Sequence, residues 1–182
     1  MKIVKNKVSL PLLRLFSSML VGSTARLVIS PVLPIYIRDL EFSIVTLGIF
    51  SAISGLALLI FEPMWGLWAD RLGARRIYIT SMFFTPPILF SYTIVNDFTA
   101  FCFLMFSSGV LLGAWGVSSR MLTATASSER GRAFGMWQTM FSGAGLIGPA
   151  IGGYTAVVNY RLSFYVATVL AAAALMLSLG VP

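Results

Sequence analysis

Apolar residues fill six long runs, at about 12–36, 44–69, 77–95, 98–119, 134–157 and 162–181, with short polar or charged segments between them. A helix that crosses the hydrocarbon of a bilayer needs about 20 mainly apolar residues. Each run meets that length, so the pattern predicts an all-α membrane protein with six transmembrane helices. The connections are too short for a second, soluble domain, and residues 1–182 read as one six-helix domain.

Composition agrees. The chain is 58% hydrophobic and 10% charged, with a mean hydropathy of +0.89, whereas soluble domains run near half apolar and a quarter charged. The net charge of +7 is therefore no nucleic-acid footprint, and it belongs on cytoplasmic loops. Lys2, Lys5, Lys7 and Arg14 lie at the start, Arg71, Arg75 and Arg76 after the second run, and Arg120, Arg130 and Arg132 after the fourth. Those are ten of the 13 basic residues on one side, against Arg38 and Arg161 on the other. The count predicts a multi-pass protein of the cytoplasmic (plasma) membrane with both termini in the cytoplasm. A signal peptide also begins with basic residues, but the first run is too long, contains Arg26 and is followed by five more spans, so it reads as a retained helix. With no histidine and a single cysteine, Cys102, the chain offers no His-based metal site or general base and no internal disulfide. A serine–histidine intramembrane protease is excluded, and Asp70 and Asp97 fall at opposite faces, which rules out an aspartyl pair. No cofactor or metal is expected, and no enzyme.

Polar residues inside the runs are the candidate chemistry. Arg26 lies about halfway along the first helix, where a charge costs roughly 2.5–3.5 kcal/mol on insertion scales. Gly22, Ser23 and Ser30 share its face, so that face should look into a cavity. Glu62 stands eight residues before Asp70, on a stripe with Ser51, Gly55 and Gly66. Arg26 and Glu62 differ in depth by a turn or two, and a direct pair needs Arg26 to reach inward. Prolines 31 and 34 should bend the first helix, and Pro86-Pro87 should kink the third, which otherwise holds no evident chemistry. Gly109, Gly113 and Gly116 form a small-residue face on the fourth helix, suited to close packing. Gly145, Gly148 and Gly152 do the same on the fifth, continued by Gln138 and Ser142. Arg26, Glu62 and Gln138 are the candidates for contact with a solute or coupling ion.

Between the second and third runs the chain reads GLWADRLGARR, 66–76, a charged turn that must sit in water at a membrane face. It resembles the loop G-x-L-a-D-R-x-G-r-k that the major facilitator superfamily of secondary transporters carries after its second helix. Gly66, Ala69, Asp70, Arg71, Gly73 and Arg75 match, Trp68 and Ala74 depart, and Arg76 makes up the missing charge. The segment SSERGRAFG, with Glu129, Arg130, Gly131 and Arg132, is similar to the family's loop after helix 4. Gly148, Pro149, Gly152 and Gly153 match the G-P-x-x-G-G core of its antiporter motif, with Ala144 where a first Gly is expected. The arginine that the family's drug–proton antiporters carry four residues before a glycine of helix 4 is replaced here by Met105.

The resemblance implies one half of a major-facilitator-type fold, built from two three-helix repeats, although no internal sequence repeat is evident. It puts helices 1 and 4 on the cavity, 2 and 5 against another half, and 3 and 6 outside. It implies a gating role for the 66–76 loop and transport of a small solute, with or without a coupling ion, by alternating access around a midplane site. One six-helix half supplies only one wall. The lipid bilayer and a second half (a missing C-terminal half or another copy) are therefore the expected partners. The alternative is a truncated or degenerate half-transporter with no transport activity of its own. The lone mid-membrane cation favours an anionic or zwitterionic solute.

Overall fold

The computed structural model describes residues 10–125 and 130–181. Among them every regular element is an α-helix: α1 (Leu10–Val28), α2 (Leu33–Asp39), α3 (Ile44–Leu72), α4 (Ala74–Ser91), α5 (Phe98–Thr125), α6 (Arg130–Val158) and α7 (Tyr160–Leu179). Among the described residues five spans are long and apolar enough to cross a membrane: Leu12–Asp39, Ile44–Leu72, Phe98–Thr125, Gly131–Val158 and Tyr160–Leu179. The third helix, α4, has 18 residues, begins with Arg75 and Arg76 in its first turn, and contains Pro86 and Pro87.

Local chemistry sets the breaks. The first run is two helices rather than one bent helix. Ser30 and Val32 donate their N–H groups to Leu27 and Ile29 at 3.2 and 3.0 Å, closing a turn, and α2 starts with Pro34 in its first two positions. Pro has no N–H, so the start of a helix, where that donor has no partner, is where it fits. Ser43 caps α3 by accepting from Val45 N at 3.3 Å, and Asn159 caps α7 by accepting from Arg161 N at 2.8 Å.

The charged segment 66–76 is not a loop. Gly66, Asp70 and Arg71 lie in the last turns of α3, and Arg75 and Arg76 in the first turn of α4. The whole reversal is made at Gly73, with φ at +93°, a conformation that a side chain strains. The fourth helix likewise outruns its expected end at 119. It continues to Thr125, so Arg120 is a helix residue rather than part of a cytoplasmic connection. Gly131, Arg132 and Gly135 belong to the first turns of α6; Glu129 lies outside the described residues, and of Arg130 only the backbone is described.

Packing follows a repeat that the sequence hides. α1 packs on α6 and α7, α5 packs on α3 and α4, and α4 packs on α7. Exchanging α1 with α5, α3 with α6 and α4 with α7 maps this pattern onto itself. Glycines bring backbones into close approach where α3 crosses α5 and where α6 crosses α1. A Cβ on Gly109 would overlap the carbonyl oxygen of Ser54 and stand 3.0 Å from Ala57 Cβ. A Cβ on Gly148 would stand 2.7 Å from Leu27 Cβ, and one on Gly152 would overlap the carbonyl oxygen of Val28. Gly145 and Gly153 have nothing within 4 Å of such a Cβ, and neither have Gly55 and Gly66. The Gly-Pro core of α6 is thus spent inside the chain through Gly148 and Gly152, rather than left open as a face for a partner.

Two large apolar clusters, and a small one at Ala69, Ile77 and Ala114, fill the bundle. One joins Tyr36, Phe50, Tyr92, Phe101 and Phe164, with Phe50 stacked on Phe101 at 4.5 Å between ring centroids and the Tyr36 hydroxyl donating to Val95 O at 2.5 Å. The other joins Leu15, Phe16, Met19, Tyr78, Met82 and Trp115. Outward-facing positions stay apolar, Leu59, Leu146, Val157 and Met176 among them, as lipid-facing or partner-facing surfaces require.

Candidate solute-binding site

A cavity of about 270 Å³ opens where the two large clusters meet. It takes Ser23, Arg26, Leu27 and Ile29 from the first run, Thr85, Ile88, Leu89 and Tyr92 from the third, and Ser108, Leu111, Leu112 and Trp115 from α5, with Ser54 of α3 and Phe141 of α6. The third run was expected outside the cavity and without chemistry. Instead it carries a wall. Tyr78, Ser81, Thr85 and Tyr92 recur at helical spacing and are all buried. Each residue of that polar stripe is uncharged, so the apolar pattern of the run does not single it out beside the Pro-Pro pair.

Arg26 reaches across from α1. Its Nη2 donates to Thr85 Oγ1 at 2.7 Å, and Thr85 in turn donates to Ser81 O at 2.7 Å. The Thr85 proton is thus committed to its own helix, and its lone pairs face the arginine. The guanidinium carbon stands 5.2 Å from the Trp115 ring centroid, within the range in which an aromatic face attracts a cation. Tyr78 Oη, 2.7 Å from Ser18 Oγ, lies near both the guanidinium and the indole. Arg26 Nη1 is buried and makes no hydrogen bond, while the buried Trp115 Nε1 has the Tyr78 hydroxyl beside it, short of good hydrogen-bond geometry. Such donors normally find partners. At the other end of the cavity, Tyr92 Oη and Ser108 Oγ are 3.2 Å apart.

Glu62 does not meet Arg26. It forms an ion pair with Arg120, whose Nε donates to Gly116 O at 2.9 Å. The pair ties α3 to α5 over the Gly113 crossing, where a Cβ on Gly113 would stand 3.4 Å from Glu62 Cα. The side chains are 36% and 43% exposed, so water screens them and the coupling should be about 1 kcal/mol or less. A double-mutant cycle with Glu62→Gln and Arg120→Gln, read by thermal unfolding, checks this. A coupling several times larger would mean that the pair is the main tie between the two helices.

Gln138 is exposed and bonds only along its own helix, to Ser142 Oγ at 3.4 Å; it does not line the cavity. Asp70, Arg71, Arg75 and Arg76 are exposed, and Asp70 forms no ion pair with any other described residue. Among the described residues no group of His, Cys, Asp and Glu could hold a metal ion.

Comparison with known proteins agrees with this architecture. A family model described as "Major Facilitator Superfamily" matches residues 15–182. The Quinolone resistance protein NorA of Staphylococcus aureus is 28% identical over 151 residues, covering 82% of this chain and 39% of that protein. The Staphyloferrin B transporter of Staphylococcus aureus is 27% identical over 150 residues, covering 79% of this chain and 36% of that protein. The chain spans well under half the length of these relatives.

Proposed function

Because this integral membrane chain belongs to the Major Facilitator Superfamily, we propose that it supplies the N-terminal six-helix half of a secondary transporter, moving a small solute across the cytoplasmic membrane by alternating access. The observation that carries the reading is the cavity at Arg26. Polar side chains from α1, α4 and α5 converge there around the Arg26 guanidinium. A charged side chain within a membrane helix is costly and as a rule faces a cavity or the bundle interior. In this reading α4, extended by the turns to Val95, is the sixth span, and a second six-helix half closes the open side of the cavity. The ends of α3 and α4 around Gly73 then lie in the cytoplasm with both termini, on the side that holds most of the basic residues.

Alternating access makes a demand that does not depend on knowing the solute. In the full-length protein, cleared of native cysteines, Ser108→Cys should react with a membrane-impermeant thiol reagent added from either side of the membrane. Ala74→Cys should react only from the cytoplasmic side. Labelling of Ser108→Cys from one side alone would sink alternating access around this cavity, and labelling of Ala74→Cys from outside would invert the topology.

A further inference from the structure

The cavity holds a cation, Arg26, whose Nη1 is buried and which meets no counter-charge among the described residues. Glu62, the one described acid within the bundle, is engaged with Arg120, while Asp39, Glu41, Asp70 and Asp97 are exposed near helix ends. Arg26 is held by a neutral hydroxyl on one nitrogen and an aromatic face, and its Nη1 has no acceptor. Packing alone does not account for this arrangement. A guanidinium placed for structure would have its donors spent on carbonyls or a carboxylate, because an unpaired buried charge destabilises the protein around it.

We propose that Arg26 is the anchor for a carboxylate on the ligand of this cavity, received by Nη1 as a charge-assisted hydrogen bond, with the ligand's apolar body lying along Ile88, Leu111 and Phe141. This rests on the transport reading above for the source of the ligand, a small organic acid or zwitterion, and extends it by naming the group recognised. The carboxylate supplies the charge that the protein withholds, and Thr85 keeps the guanidinium from turning away. The lining agrees. Apolar side chains of α4, α5 and α6 form most of the remaining wall, which suits an organic anion better than a hydrated inorganic one.

The test uses the full-length protein in nanodiscs, with benzoate as probe and benzamide, chloride and phosphate as controls. Benzoate should raise the Tm of the wild type, because it binds only the folded state. Benzamide, which has the same ring without the charge, should not, and neither should chloride or phosphate. Arg26→Met should weaken the benzoate response at least tenfold, and Arg26→Lys should retain part of it. Arg26→Met should also unfold at a higher temperature than the wild type without any ligand, since it removes an uncompensated buried charge. A lower Tm for unliganded Arg26→Met would make the arginine structural and overturn the proposal. It is also overturned if the wild type is indifferent to benzoate at about 10 mM, the weak end of solute affinities, or if chloride, phosphate or benzamide matches it. If Arg26→Met does not fold, that is the structural outcome. These are equilibrium readouts, so they stand or fall apart from the thiol labelling that tests alternating access.

Discussion

Gly152→Ala should cost the fold about 2–3 kcal/mol, although alanine is the better helix former. In an ordinary helix interior the same replacement gains up to about 1 kcal/mol. At Gly152 the new methyl would overlap the carbonyl oxygen of Val28 and stand 3.1 Å from Pro31 Cγ. Neither can step aside, since one is backbone and the other a ring that closes the turn after α1. The helices must separate, and the shift spreads along the crossing to Gly148, where Thr24 and Leu27 already press. Overpacking of this kind typically costs 1–3 kcal/mol. Gly48→Ala in the first turns of α3 is the matched control, because nothing lies within 4 Å of its Cβ. Thermal unfolding of the two variants should move in opposite directions. A neutral or stabilised Gly152→Ala would mean that α1 and α6 do not touch as described.

Asp70→Asn should cut turnover, by up to about 30-fold, while leaving solute affinity nearly unchanged. Asp70 sits in the last turn of α3, at the negative end of that helix's dipole, where a carboxylate is disfavoured. It is exposed and has no ion pair in the described structure. Its own helix therefore gives no reason for the charge, and the proposed reason is a helix N-terminus on the second half, met in one of the two access states. Such a contact is worth up to about 2 kcal/mol. Losing it from one state of a balanced pair shifts their ratio by about 30-fold. Flux through the full-length protein in proteoliposomes, set beside equilibrium binding, separates the two effects. Full transport by the variant, or a loss of binding as large as the loss of flux, would end the gating role.

Several features were legible before any coordinates because they are local. The charges at Asp70, Arg71, Arg75 and Arg76 interrupt the apolar pattern, and the glycines at 148 and 152 stand one helical turn apart. The exact ends of the helices were not legible. A charged residue reads as a loop residue, yet Asp70, Arg71 and Arg120 are helical: a helix can continue past the membrane face, where Asp70 is exposed, and the long side chains of Arg71 and Arg120 reach water without leaving it. The three-helix repeat was hidden for a different reason. Its two equivalent crossings carry their glycines on non-equivalent helices, α5 in one and α6 in the other, so the close approach repeats while the residues do not.

The linear pattern of apolar runs and basic residues determined that this is a helical membrane protein, because the bilayer reads length and charge one segment at a time. It determined neither partner of its two central charges. Arg26 and Glu62 are opposite in sign and both read as facing inward, a turn or two apart in depth, which leaves a direct pair open. Only the packing of α5 between α3 and α4 assigns Glu62 to Arg120 and leaves Arg26 to Thr85 and Trp115. Partner choice depends on which helices touch and at what depth, and a sequence spacing within one helix carries no information about distance to another.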